Sequence, residues 1–151
     1  MDLESVKRFV EKEGGDYEST VHSMTEKFID PMVMQGLKIH HIERGRILCS
    51  LIVPSRLLNC GNSLHGGATA ALVDIVGSAV IYTMGAPTTG VSVEINVSYL
   101  DAAYAGEEIE IESKALCVGK AFAVVSVELR KKETGKNYCS GAPYKIPGHL
   151  Q

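Results

Sequence analysis

The sequence has neither a close pair of cysteines nor a strong excess of either charge. Its four cysteines form no C-x-x-C pair, so neither a zinc site nor a thioredoxin-like motif is indicated, and reduced, mostly buried thiols are expected. A formal charge of −3 without a long basic run gives no general attraction to nucleic acid or to an anionic membrane. No metal or cofactor is indicated, and an anionic ligand has to be bound by a few local cations.

The sequence also shows no pattern typical of a targeting segment or of a membrane span. Residues 1–16 are acidic and amphipathic, unlike a signal peptide or an arginine-rich transit peptide. No uninterrupted apolar run has the length needed to span a bilayer, and the C-terminal Gly-His-Leu-Gln matches no common address signal. We therefore expect a soluble cytoplasmic protein, with an organelle such as a mitochondrion or peroxisome left open.

The length of 151 residues favours one domain, preceded here by a helical segment. Val6, Phe9 and Val10 recur at helical spacing and predict a short leading helix, and a second helical piece is predicted over about 19–28. We assign residues 1–35 to this N-terminal helical segment and residues 36–151 to the main domain.

The main domain begins with a predicted β-hairpin over about 36–53, with its turn at Arg44-Gly45. Leu37, Ile39 and His41 are expected on one face of the first strand. On the return strand, the residues expected to share one face are Ile47, Cys49, Leu51 and Val53.

A long apolar run over 65–84 then predicts a helix, and its apolar circumference predicts that it is buried. Four strand-like runs follow at about 90–100, 107–118, 121–131 and 137–146, separated by turn signals. One hairpin, one buried helix and an antiparallel meander together predict an α+β domain in which a sheet wraps around a central helix.

Gly66 and Gly67, at the start of the helix, depart from good helix-forming sequence. Each glycine costs about 1 kcal/mol relative to alanine inside a helix. Free amides at a helix N-terminus attract negative charge, and they would stabilise the oxyanion formed when a thioester carbonyl is attacked. Capping or close packing is an equal alternative for these glycines.

Asp74 is a carboxylate within the apolar run Ala-Ala-Leu-Val-Asp-Ile-Val. A carboxylate in such surroundings needs hydrogen-bond donors, so it has either a catalytic role or a structural one with neighbouring hydroxyls. It lies about 10 Å along the helix axis from the glycines, too far to act on a carbonyl held by its own helix. Two helices facing each other across a two-fold axis would allow one site to be shared between subunits.

Several spaced motifs resemble the signature of the hotdog-fold acyl-CoA thioesterases. They are Asn59, Leu64-His65-Gly66-Gly67, Ala71-Leu72-Val73-Asp74 and Gly90-Val91-Ser92-Val93-Glu94. The resemblance covers about residues 59–141. It implies an antiparallel sheet wrapped around a long helix, hydrolysis of fatty or aromatic acyl-CoA in lipid metabolism, and a homo-oligomer. This oligomer would be a dimer, or a dimer of dimers (a homotetramer), with sites at the dimer interface.

The resemblance also implies roles for individual residues. Asn59 and the Gly66 amide would polarise the thioester carbonyl, His65 would shape the loop, and Asp74 would activate water with help from Ser92. Gly67 would contact the substrate, and coenzyme A contacts would fall on Ser92, Tyr99, Tyr104, Cys117, Val118, Gly119, Lys120, Ala121 and Phe122. Relatives often carry a basic residue where this chain has Tyr104, which weakens the expected phosphate contact there.

Simpler interpretations stay open for each of these residues. Asn59 alone is typical of a turn, His65 of a structural histidine, and Lys120 of an ordinary hairpin. Cys60 is a poor candidate nucleophile because no third group accompanies it and His65, and the glycine that completes a serine-hydrolase elbow is missing. The alternative functions are a hydratase or dehydratase on the same fold and a non-catalytic acyl-CoA-binding protein.

Overall fold

The computed structural model describes Ser5, Lys7, residues 22–24 and residues 26–146. The chain divides into two compact units, residues 1–31 and residues 32–151, and the boundary at residue 35 stays a prediction. Ser5 and Lys7 are helical, but the apolar residues that predict the leading helix lie outside the described residues. The second predicted helix does not continue to residue 28, because residue 24 is a bend and Lys27 has a φ of 59°.

Up to residue 146, the last that the structure describes, the second unit holds six strands and one long helix. The strands are β1 (Lys38–Glu43), β2 (Arg46–Ile52), β3 (Val91–Tyr99), β4 (Glu108–Val118), β5 (Ala123–Lys131) and β6 (Asn137–Ile146). A short helix α1 (Ile29–Met34) spans the boundary between the units, and the long helix is α2 (Gly66–Thr83). The predicted hairpin, helix and four later strands are therefore confirmed to within a few residues.

The order of the strands corrects one prediction. The sheet runs β1-β2-β4-β5-β6-β3, so β3 pairs with β6 at an edge instead of leading a four-strand meander into β4. The loop after β3 explains this path. Its end joins the end of β2 through two backbone hydrogen bonds, Val53 N to Glu107 O at 2.9 Å and Gly106 N to Val53 O at 3.0 Å. Strand β4 therefore begins beside β2.

One face of the sheet packs against α2. The four inward residues predicted for the return strand of the hairpin are all at most 4% exposed. On α2 the buried residues include Leu72, Val73, Val76, Val80 and Ile81. The opposite side of the helix is only partly covered, so the prediction of burial all round is wrong for a single chain. We call that side, formed by Gly67, Ala71, Asp74, Ser78 and Tyr82, the exposed stripe.

By length and composition alone, α2 is apolar enough to cross a membrane, which the sequence analysis did not anticipate. A core helix passes the same test, and the buried face of α2 packs on the sheet.

The four cysteine thiols divide into two groups by burial. Cys49 and Cys139 are buried, and burial raises their pKa values to about 12 and about 11. Cys60 and Cys117 are exposed, so the expected burial holds for half of the cysteines.

A bulge in β1 changes which face of the sheet its side chains lie on. Ile39 pairs with Cys49 and His41 pairs with Leu48, which leaves His40 as an extra residue. Because Cys49 and Leu48 lie on opposite faces of β2, Ile39 and His41 lie on opposite faces of β1. The prediction that they share one face is therefore wrong.

Helix α2 approaches β6 closely because two glycines leave room for it. A Cβ atom added to Gly77 would lie 2.9 Å from Pro143 Cγ, and one added to Gly141 would lie 2.6 Å from Val73 Cγ1. Real Cβ atoms do not approach their neighbours so closely. A buried hydrogen bond of 2.6 Å between Thr69 and Tyr138 joins the same two elements near the start of the helix.

We predict that Gly141→Ala lowers the free energy of unfolding by about 1–3 kcal/mol, the usual cost of overpacking a tight core, as measured by urea denaturation. Val73→Ala is the matched second change because it removes the methyl groups that the new Cβ would meet. The double variant should lose less stability than the two single losses added together. Additive losses would show that this contact does not limit the helix-sheet distance.

Candidate active site

Asn59 closes a short loop just before α2. Its Oδ1 accepts hydrogen bonds from the amides of Gly61 (2.9 Å) and Ser63 (3.1 Å), and its Nδ2 donates to Ser63 Oγ at 3.0 Å. Asn59 therefore braces the loop, which is the simpler of the roles considered for it. An amide nitrogen carries two protons, so one N–H of Nδ2 remains for a ligand.

His65 caps the start of α2. Its Nδ1 accepts a hydrogen bond from the Gly67 amide at 2.9 Å. A Cβ atom at Gly67 would lie 3.0 Å from the same nitrogen, so glycine at this position is explained by the cap. The Gly67 amide is thereby occupied, and His65 acts on the geometry of the loop.

The Gly66 amide is a free donor at this helix end. It donates to no acceptor in the part of the chain that the structure describes. Packing alone does not require glycine there, because an added Cβ would make only ordinary contact with the Tyr99 ring at 3.6 Å. The phenol of Tyr99 donates to the Gly66 carbonyl at 2.8 Å, and burial raises its pKa, which keeps it a donor. Tyr99 thus anchors the end of β3 to the helix start.

Asp74, Ser92 and Lys145 form a compact cluster halfway along α2. Asp74 Oδ1 accepts a hydrogen bond from Ser92 Oγ at 2.6 Å and another from Lys145 Nζ at 2.6 Å. Lys145 Nζ also donates to Ser92 Oγ at 2.8 Å. The Asp74 side chain is 37% exposed, whereas the Lys145 side chain is 3% exposed. The structure therefore brings together two of the expected catalytic residues and adds a buried cation.

A second bulge directs Ser92 towards the helix. Ser92 pairs with Lys145 and Glu94 pairs with Tyr144, which leaves Val93 as the extra residue. Strict alternation would place Ser92 and Ile95 on opposite faces, but the bulge puts both on the face of α2. Bulges commonly re-aim a side chain near an active site.

Lys145 is the site residue that the sequence analysis missed. A signal for it exists in β6, where the buried residues Cys139, Gly141 and Pro143 occupy alternate positions facing α2. Continuing that alternation places Lys145 on the same face. A lysine facing a core needs an acceptor, and Asp74 is the carboxylate in the opposing helix.

The β4–β5 turn lies at the other end of α2. Of the coenzyme A contacts implied there, Val118, Gly119 and Lys120 line a cavity of about 570 Å³ together with residues 84–88. Cys117 and Phe122 are exposed beside the turn. Lys120 is an exposed cation at the edge of this cavity, which suits an anionic ligand.

Tyr104 lies near the start of α2, where it forms an isolated β-bridge with Ser63 in the Asn59 loop. The ammonium of Lys131 lies 5.6 Å from the centre of its ring. That cation is also 3.3 Å from Glu107 and 3.9 Å from Asp101, so its charge is already balanced. The surroundings of Tyr104 thus give no sign of a replacement phosphate contact.

Within one chain, the Gly66 amide, the Asp74 cluster and the cavity beside the β4–β5 turn lie far from one another. Gly66 and Asp74 belong to the same helix, and their separation along its axis is about 12 Å at about 1.5 Å per residue. Met84, at the cavity, is about 15 Å beyond Asp74 by the same rise. A carbonyl bound at Gly66 is therefore out of reach of the Asp74 carboxylate of the same chain.

The groups at the start of α2 are suited to polarise a carbonyl, and the Asp74 cluster halfway along α2 is suited to activate water. The free amide of Gly66 and the remaining N–H of Asn59 suit a developing oxyanion. Asp74 Oδ2 accepts no hydrogen bond from the described residues, which leaves it available to a water molecule. No group of three side chains among the described residues could hold a metal ion.

Comparisons with known proteins identify the family. A family model described as Thioesterase superfamily matches residues 61–137. Human Acyl-coenzyme A thioesterase 13 is 36% identical over 105 residues, which cover 70% of this chain and 75% of the human protein.

Solved structures agree on the fold. Mouse thioesterase superfamily member 2 superposes with a TM-score of 0.75 at 33% identity, covering 81% of this chain and 90% of the mouse chain. A Streptococcus pneumoniae hypothetical thioesterase solved with coenzyme A has a TM-score of 0.68 at 23% identity, covering 73% of this chain and 86% of that chain. The latter likeness bears on the fold alone. The expected family and the hotdog fold class are thereby confirmed.

Proposed function

We propose, because the chain belongs to the thioesterase superfamily, that it hydrolyses acyl-CoA to a free acid and coenzyme A. The observation that carries the proposal is the Asp74 carboxylate, which is fixed at Oδ1 by two donors and open at Oδ2. An aspartate in this state is arranged to accept a proton from water. The human relative is named as an acyl-coenzyme A thioesterase, which supports the choice of substrate.

The proposed reaction begins with the thioester carbonyl oxygen at the Gly66 amide and the Asn59 side chain. Asp74 removes a proton from water while the water oxygen bonds to the carbonyl carbon. The oxyanion that forms is stabilised by the two donors. Its collapse breaks the carbon–sulfur bond and expels the thiolate of coenzyme A, which takes up the proton held by Asp74 and so restores the carboxylate. The free acid then leaves.

The proposal includes a site shared between two copies of the chain. A two-fold axis that brings Gly66 of one helix opposite Asp74 of the other passes halfway between them, at Ala70. Ala70 and Ala71 are small and partly exposed, so two helices could approach closely there. The exposed stripe then becomes the contact, and each site combines the oxyanion donors of one subunit with the Asp74 cluster of the other.

The edge of the sheet supports the same assembly. Strand β3 pairs only with β6 among the described strands, and its apolar Val91 and Val93 are 44% and 61% exposed. An exposed apolar edge strand is a liability unless something pairs with it or covers it. A second copy of this chain, related by the axis near Ala70, would provide that cover. Two such dimers joined together would make the homotetramer.

Coenzyme A is proposed to bind along the β4–β5 turn, with Lys120 contacting a phosphate. The cavity beside Val118, Gly119 and Lys120 supports this assignment. A hydratase or dehydratase is the less favoured alternative, because it needs an acid–base pair acting on the acyl carbons, and His65, the candidate partner of Asp74, serves as the cap of α2. A non-catalytic acyl-CoA-binding protein would not require a carboxylate held open to water.

We predict that Asp74→Asn lowers kcat for acyl-CoA hydrolysis by at least about a hundredfold, since a positioned general base contributes that much or more. Release of coenzyme A thiol from a panel of fatty and aromatic acyl-CoA substrates measures the rate. Glu133→Gln, in the exposed turn after β5, is the control and should keep wild-type activity. Near-normal turnover by a folded Asp74→Asn protein would refute the assignment of the base.

We predict that Lys120→Ala raises KM for acyl-CoA more than it lowers kcat, because a distant phosphate contact stabilises the ground state and the transition state alike. Steady-state kinetics at low and high salt measure this effect, which should shrink as salt screens the contact. Lys38→Ala, at an exposed position on β1, is the matched control. An unchanged KM at low salt would remove Lys120 from the binding site.

The shared site predicts that two inactive variants complement each other. Asn59→Ala and Asp74→Asn should each be nearly inactive alone, but a mixed dimer contains one site with both defects and one with neither. Random pairing makes about half of the dimers mixed, so the mixture should recover about a quarter of wild-type activity.

Distinguishable affinity tags on the two variants establish that subunits have exchanged before the activity is read. A mixture of differently tagged Asp74→Asn subunits alone is the control and should stay inactive. If exchange is complete and the activity stays at the level of the single variants, the donors and the base act within one chain.

A further inference from the structure

Lys145 is an unusual side chain for the inward face of a sheet. Its side chain is 3% exposed, and its ammonium lies 2.6 Å from Asp74 Oδ1 and 2.8 Å from Ser92 Oγ. A buried ammonium without partners is strongly destabilising. Both of its acceptors belong to the proposed catalytic centre, which ties this lysine to the chemistry of the site.

We infer that Lys145 is a positioning residue of the hydrolysis, holding Asp74 Oδ1 and the Ser92 hydroxyl so that Asp74 Oδ2 alone receives the proton from water. The inference rests on the proposed function. It assigns Lys145 no contact with the substrate.

The hydrogen bonds of the cluster determine which groups donate a proton and which accept one. Ser92 has a single hydroxyl proton, which it donates to Asp74 Oδ1, and its oxygen accepts from Lys145. Ser92 can therefore accept a further hydrogen bond from water but has none left to donate. Asp74 Oδ1 already accepts from two donors, whereas Oδ2 accepts from none of the described residues. The water proton is thus directed to Oδ2, and the water oxygen bonds to the carbonyl carbon.

A serine–lysine pair acting as nucleophile and base is the competing interpretation of the same contacts. The base in such a pair must be a neutral amine. Asp74 lies 2.6 Å from the Lys145 nitrogen, and an adjacent carboxylate stabilises the charged ammonium. Lys145 therefore acts as a cation and not as a base, and no acyl group is attached to Ser92 during turnover.

The test compares Lys145→Met, which keeps most of the length and removes the charged amine, with Lys145→Arg, which keeps the charge. We expect Lys145→Met to lower kcat by about tenfold or more, part of the contribution of a positioned base, with KM within about twofold of wild type. Lys145→Arg should be several times faster than Lys145→Met because it still donates to Asp74. If Lys145→Met does not fold, as judged by circular dichroism, Lys145→Gln takes its place with the same expectations.

A double-mutant cycle separates positioning from a general structural role. In an Asp74→Asn background, Lys145→Met should lower kcat by no more than about twofold, because the group that Lys145 positions has already lost its function. A purely structural lysine would cost the same factor in both backgrounds. Wild-type kcat in a folded Lys145→Met protein, or equal losses in the two backgrounds, would overturn the inference.

Mass spectrometry of rapidly quenched reactions tests the competing interpretation. Wild type and Lys145→Met should carry no acyl group on Ser92, and an acylated Ser92 peptide would overturn the inference in favour of covalent catalysis. If wild type releases no thiol from any acyl-CoA, the proposed function itself fails. If wild type is active and Lys145→Met is equally active, only the role of Lys145 fails.

Discussion

Two glycines, Gly77 on α2 and Gly141 on β6, remove the side chains that would hold the helix away from the sheet. The resulting close approach determines how far a side chain on β6 has to reach to touch a side chain on α2. Lys145 extends from the end of β6 and meets Asp74 at 2.6 Å. If the helix were displaced by about the thickness of one methyl group, the hydrogen bond between the Lys145 ammonium and Asp74 Oδ1 would lengthen or break. Packing within the core thus sets the geometry of the proposed chemistry.

The ion pair of Lys145 and Asp74 contributes more to positioning the carboxylate than to the stability of the fold. Desolvating a lysine is costly, and replacing such a pair with apolar residues is often neutral or stabilising. The asymmetry of exposure is informative in this respect, because the lysine is buried whereas the carboxylate is about one-third exposed. The cation is fixed from behind by the core, and the carboxylate keeps one oxygen open towards solvent. A pair arranged only for stability would have no need of that open oxygen.

The elements of the fold were predictable because each has a strong local pattern. The apolar run of α2 is too long for a strand, and β2 has the buried residues Ile47, Cys49 and Leu51 at alternate positions. The position of β3 was not predictable, because it depends on the loop after it joining the end of β2 through hydrogen bonds. No periodicity within β3 contains that information.

The site was predictable in part for the same reason. The two glycines and Asp74 depart from the pattern of their own helix, whereas Asn59 and Ser92 were expected from the family resemblance. The structure brings Asp74 and Ser92 into contact. Alternation along Val91, Val93 and Ile95 would nevertheless turn Ser92 away from the helix, and only the bulge at Val93 reverses it. Lys145 was missed because β3–β6 pairing and helix packing bring it to Asp74 from 71 residues away in sequence.

The surfaces that a single chain leaves uncovered are those that carry the proposed chemistry. Asp74 lies in the exposed stripe of α2, and Ser92 lies on β3 at the free edge of the sheet. Covering these surfaces with a second copy, as proposed, would remove an exposed apolar edge. It would also shield the carboxylate from bulk solvent while leaving the reacting water beside Oδ2, which would strengthen the electrostatic interactions around it. Assembly and catalysis would then share one set of contacts. A substitution on the exposed stripe that weakens association would therefore also separate the oxyanion donors from the base, even where it leaves the fold of each chain intact.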